Sequence, residues 1–108
     1  MSYSVGTRPW SETAAGTSDG PTATHAAETD VTHFVTSVSG HVDEDNVIQI
    51  KDGSTVVWES KIDISVEGTQ IISPSGLLVP CTSGNACSAV LGGSASDSQI
   101  NMNGYSIP

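Results

Sequence analysis

The sequence predicts an all-β protein, an antiparallel β-sandwich or jelly roll of seven to eight short strands behind an extended N-terminal arm. Three observations carry that expectation. Eleven Gly and five Pro punctuate 108 residues, and Ser and Thr together make up about a quarter of the chain, a profile of short strands and turns. Apolar and polar residues alternate in short runs, and no segment sustains a helical period over several turns. Finally, "VIQIKDGSTVVWES", residues 47–60, sets two such runs on either side of Asp52-Gly53, the strongest short-range hairpin signal a sequence offers.

Residues 1–24 are dominated by Ser, Thr, Gly and Ala without a period, and are expected to form a flexible or extended arm. The sandwich domain is expected over 25–108. Within the arm, Arg8, Pro9 and Trp10 are the one adhesive point. They read as an anchor on a neighbouring subunit, because interfaces bury a lone Trp on a mobile segment. The competing reading is a Trp exposed without consequence.

The β pattern begins at "VTHFVTSVSGHV", 31–42. Phe34, Val38 and Val42 are expected to point inward, although His33, Val35 and His41 confuse the phase. "DEDN" follows as an acidic turn, and then the hairpin. A two-residue loop at Asp52-Gly53 leaves each face half polar. A three-residue loop, Lys51-Asp52-Gly53, gathers Ile48, Ile50, Val56 and Trp58 on one face, and burial favours it. "KIDISVEG" places Ile62, Ile64 and Val66 together. "TQIIS" is a short strand, "PSG" a turn and "LLVP" another extended piece. "TSGN" turns the chain into "ACSAVLGG", and "SQINMNGYSI" closes the set with Ile100 and Met102 in phase.

Composition narrows the partners. A formal charge of −9 argues against nucleic acid and against an anionic membrane surface, both of which need clustered Lys and Arg. "MSYSVGTRPWSETAAG" lacks the apolar run of a secretory signal, so synthesis without Sec export is expected. With five aromatic residues the core is thin, and a scaffold this small is expected to self-associate. Cys81 and Cys87 bracket "TSGNA". A bridge there would close a short loop, but a reducing cytoplasm favours two free thiols, and both states stay open.

No catalytic, cofactor or metal residues are predicted. His25, His33 and His41 recur every eight residues, but His33 and His41 on one strand would stand about 26 Å apart and cannot share an ion. They read as polar surface histidines. Asp43, Glu44, Asp45 and Asn46 lack the spacing of an EF-hand loop and read as a solvated turn. No Ser sits in a G-x-S-x-G elbow, and an enzyme is not expected.

The order "IKDGSTVVWES…SPSGLLVPCTSGNACSAVLGG…INMNGYSI" resembles a group of small β-sandwich or jelly-roll virion proteins of tailed bacteriophages, over roughly residues 31–108. The resemblance implies a structural virion protein, a head decoration or cement protein on the surface of the phage head. Such proteins clamp neighbouring major capsid subunits, often as homotrimers, and are assembled in the bacterial host cytoplasm. On that reading Arg8, Pro9 and Trp10 contact capsid or sister subunits. The alternative is a tail or head-fibre module that binds a host-surface glycan. A third reading is a bacterial β-sandwich binding module.

Overall fold

The computed structural model describes residues 7–16, 20–62, 70–72, 77–92 and 98–108, and every element among them is a strand. In chain order these are β1 (Arg8–Gly16), β2 (Thr22–His25), β3 (Thr32–Val42), β4 (Asn46–Asp52), β5 (Thr55–Ile62), β6 (Gln70–Ile72), β7 (Val79–Pro80), β8 (Cys87–Leu91) and β9 (Ser98–Ile107). They form two antiparallel sheets. One runs β1-β9-β3-β6 with β7 also paired to β3, and the other runs β2-β8-β4-β5. The expected all-β sandwich is therefore the fold.

The core lies between the sheets. Val35, Val38, Val42, Ile100 and Met102 come from the first sheet and Ile48, Ile50, Ile62, Ala89 and Leu91 from the second, all fully buried. Gly40 of β3 faces the side chains of Ile48, Leu91 and Ile62, so the two layers meet without a gap. Each buried aliphatic side chain contributes about 1.5–3 kcal/mol. β9 alternates buried and outward residues along its whole length, as the phase of Ile100 and Met102 predicts. Its outward residues explain part of the Ser/Thr content. Asn103 donates to Ser37 Oγ at 3.0 Å, Asn101 to Ser39 Oγ, and the Thr13 hydroxyl bonds the Asn101 side chain across the strands.

Three expectations change. First, the division at residue 24 falls within β2, and much of the expected arm is sheet: β1 pairs with β9 through nine register positions and β2 pairs with β8. The short polar side chains of "RPWSETAAG" showed no obvious period, yet alternate residues of the strand are half-buried, because an edge strand needs only one face covered. Residues 1–6 and 17–19 lie outside the described set.

Second, the phase of β3 is split. The β3–β9 register shifts between Val35 and Ser37, leaving Thr36 as the extra residue of a bulge. His33 and Val35 point inward before it, and Val38 and Val42 after it. Phe34 turns outward instead and stacks on Tyr105 at 5.0 Å. One inserted residue reverses a period-2 pattern, which is why no single phase fitted the sequence.

Third, the hairpin takes neither loop weighed above. Asp52 pairs with Thr55, so Gly53 and Ser54 form the loop. Gly53 carries φ +61° at the first loop position, the arrangement of a type II′ turn. The register then shifts between Ile50 and Lys51, so that Lys51 faces Val56 while Ile50 faces Trp58. Ile48 and Ile50 are buried as expected and Trp58 packs against the core, but Val56 is turned out to solvent. Ile62 is buried as predicted, whereas Ile64, Val66 and the "PSG" turn fall outside the described residues.

The inward and outward faces of β4 are directly testable. Ile48→Lys places a charge in a fully buried position and should abolish cooperative unfolding in urea, followed by circular dichroism. Gln49→Lys, opposite Glu59, should stay within about 0.5 kcal/mol of the parent.

Candidate functional site

Among the described residues, two clusters of polar side chains gather at one end of the sandwich. The register places the start of β1, the end of β2, the start of β3, the β4–β5 turn, the start of β8 and the end of β9 side by side there.

Two histidines and a tryptophan form its interior. Trp10 lies opposite Gly104, where an added Cβ would fall 2.0 Å from the Phe34 carbonyl oxygen and 2.6 Å from the indole. Only glycine admits the ring here. From that position the indole stacks on His25 with centroids 4.2 Å apart, and the His25 ring meets His33 edge-on at 4.5 Å. Trp10 and His33 belong to one sheet and His25 to the other, so the three rings close the gap between the layers.

His33 is fully buried, with both nitrogens engaged. A carbonyl only accepts, so Nε2 donates to Ala26 at 2.9 Å. In the neutral ring Nδ1 is then the acceptor for the Ser106 hydroxyl at 2.5 Å. Ser106 Oγ in turn accepts the Trp10 indole N–H at 3.0 Å. The result is a one-way chain, Trp10 to Ser106 to His33 to Ala26, that satisfies each buried polar group. The Ser106–His33 pair has the spacing of a nucleophile and its base, but Ser106 is buried and its oxygen is held from both sides.

Carboxylates face the outer side of His25. Glu12 Oε2 lies 2.8 Å from Nδ1 and Glu28 Oε1 lies 4.0 Å from Nε2. Arg8 reaches the other oxygen of Glu28 at 3.2 Å. One ligand atom each from His25, Glu28 and His33 lies within 4.8 Å of the others.

A second cluster joins the two turns. The Asp52 carboxylate accepts the Thr82 hydroxyl at 2.7 Å and the Asn85 amide at 2.9 Å, while Gly53 N–H donates to the Ala86 carbonyl. Burial alone would raise the Asp52 carboxyl. The hydrogen bonds from the Thr82 hydroxyl, the Asn85 amide and the Thr82 backbone outweigh it and hold the group below its ordinary value of 3.8. "TSGN" is the turn expected of it, with Gly84 at φ +86° and Asn85 N–H bonded to the Thr82 carbonyl. Cys81 and Cys87 are joined by a disulfide across this loop, and Cys81 N–H donates to the His33 carbonyl at 2.8 Å.

Of the residues singled out in the sequence, Arg8 and Trp10 are brought together with His25, Glu28 and His33, while Pro9 is exposed on β1. Trp10 is half-buried within its own subunit. His33 is a core residue and not the surface histidine expected. His41 stands eight residues along β3, paired with Gln99. Asp45 and Asn46 border a shallow open cavity with Val47, Lys61 and Ile62. Sequence reasoning compared His33 with His41 and missed His25 with His33. The signal was the turn-forming "AAETDV" between them, which folds the chain back and brings two strand ends together.

The fold defines the chain as an antiparallel β-sandwich. No protein-family model, no curated protein and no solved structure matches it.

Two outcomes follow from this end of the molecule. Asp52→Ala should cost about 1–2 kcal/mol at pH 7 in urea unfolding. Because the folded carboxyl titrates below the unfolded one, that difference is complete above about pH 4 and shrinks as pH falls through the folded value. Reducing the Cys81–Cys87 bridge, with a sequence separation of 6, should cost roughly 2 kcal/mol, read as a lower thermal midpoint with dithiothreitol.

Proposed function

We propose that this protein is a structural virion component, a decoration protein of a phage head that clamps neighbouring major capsid subunits as a homotrimer. One observation carries the reading beyond the sequence resemblance. The turns that bear the resemblance, "KDGS" and "TSGN", form one braced unit, and among the described residues exposed large apolar side chains lie at or near the same end of the sandwich. Val56 and Val57 follow the hairpin turn, Leu78 precedes the strand paired to Val35, and Ile107 pairs with Thr32. A rigid end carrying exposed apolar side chains has little ordering entropy to lose on docking, which favours binding. A modest contact per subunit, repeated over a trimer, gives tight attachment.

Trp10 supports this function indirectly. Its ring holds β1 to the body, so the contact role passes to the loop end, with Arg8 and Pro9 at its margin. Trp10 and Trp58 both pack against the core, so neither is a free platform for stacking a sugar.

The deciding measurement is the copy number of the chain in purified particles, by quantitative mass spectrometry against the major capsid protein. A ratio near one, or a simple fraction of it, is expected. A ratio of a few per hundred would move the protein to a tail or fibre, and its absence from particles would end the proposal. Leu78→Asp should leave thermal stability unchanged and lower particle occupancy.

A further inference from the structure

We infer that the outward face of β1, β9 and β3 binds a neutral polysaccharide, with Asn103, Asn101 and their serine partners on the sugar hydroxyls. This goes beyond the capsid reading and does not depend on it.

Charge sets this face apart. Alternation turns every second residue of β3 and β9 outward, and likewise the stretch from Pro9 to Ala15 of β1. None of those outward residues is Asp, Glu, Lys or Arg, in a chain with twelve acids and three bases. A polyanion would meet no cation there, and the charge of −9 on the whole chain would repel it. An uncharged polymer matches an uncharged face. Composition argues against a protein in the same place, because protein interfaces are depleted in Ser and this face is built from Ser, Thr and side-chain amides.

The polar groups stand in rows across three strands. Ser11, Asn103 and Ser37 occupy one row, and Thr13, Asn101 and Ser39 the next. Asn103 donates one amide N–H to Ser37 Oγ at 3.0 Å, which fixes the amide in place. Its second N–H, its Oδ1 and the Ser37 hydroxyl proton remain to be used. Asn101 and Ser39 repeat the arrangement one row along. A side-chain amide offers a donor and an acceptor side by side, and two neighbouring sugar hydroxyls offer the complement. Side chains already held by their neighbours lose little rotamer freedom on binding.

Next to the Asn103 row lies an apolar one. Pro9, Tyr105, Phe34 and Pro80 follow one another across four strands, with the two aromatic rings stacked at 5.0 Å. This bar suits the C–H side of a sugar ring, and the Tyr105 hydroxyl adds a polar tip. β9 is ten residues long, so the face runs for about 33 Å. An open sheet face of that length suits an extended chain of sugars.

The experiment is native electrophoresis of the full chain through gels cast with hydroxyethyl cellulose, galactomannan or dextran, and with polygalacturonate as the anionic counterpart. Retardation by at least one of the three neutral polymers and none by polygalacturonate is expected. Asn103→Ala should weaken the interaction about tenfold and Tyr105→Phe severalfold, both with an unchanged thermal midpoint, because the groups removed face outward. Gln49→Ala, on the other sheet, should bind like the parent. Migration unaffected by all three neutral polymers overturns the proposal, as does retardation that survives both Asn103→Ala and Tyr105→Phe. A sedimentation mass that rises with concentration and falls back in Asn103→Arg would assign the face to a second copy of the chain, and would overturn it too.

Discussion

β9 is hydrogen-bonded on both edges, to β1 over nine register positions and to β3 over ten, and the rest of the molecule depends on that double pairing. A strand paired on both sides cannot slip by one residue without exposing Ile100 and Met102 and burying Asn101 and Asn103. Its strict alternation therefore sets the height at which β1 and β3 lie. That height places Trp10 over Gly104, and it places Ser106 between the Trp10 indole and the His33 ring. The bulge at Thr36 allows β3 to follow β9 while keeping His33, Val35, Val38 and Val42 all turned to the core.

At the braced end, Asp52 ties the hairpin turn to the Thr82–Asn85 turn, the disulfide closes that second loop, and the Cys81 amide fastens it to the His33 carbonyl. His33 thus belongs to both polar clusters, through its ring to Trp10 and Ser106 and through its backbone to the cystine loop. A buried polar group with every partner in place specifies one arrangement, because any rearrangement leaves a donor or acceptor unpaired in a low-dielectric interior. A small core with few aromatic residues gains much of its uniqueness this way.

The edges of the sandwich are handled by different means. β5 is an edge strand with two exposed valines, and its bulge at Val57 interrupts the regular row of donors and acceptors that would otherwise pair with another chain. β1 and β2, the edges on the other side, are drawn toward each other by the Trp10–His25 stack and by the Glu12–His25 contact. Among the described residues, these side-chain contacts join the two sheets on that side of the sandwich.

The sequence by itself determined the fold class, the positions of β3, β4, β8 and β9, the inward faces of β4 and β9, and the turns at Gly53 and Gly84. These are local properties: alternation repeats every two residues, and glycine is the residue that takes a positive φ without strain. Three things only the tertiary structure decided. The polar strand β1 showed no pattern of its own, because its pairing comes from β9, some 90 residues away. The bulges at Thr36 and Val57 reversed the phase of β3 and the register of the hairpin, because a bulge is set by the partner strand and leaves no mark in composition. The His25–Glu28–His33 cluster went unseen, because a histidine spacing of eight reads as distant along one strand and becomes adjacent once a turn folds it between two sheets.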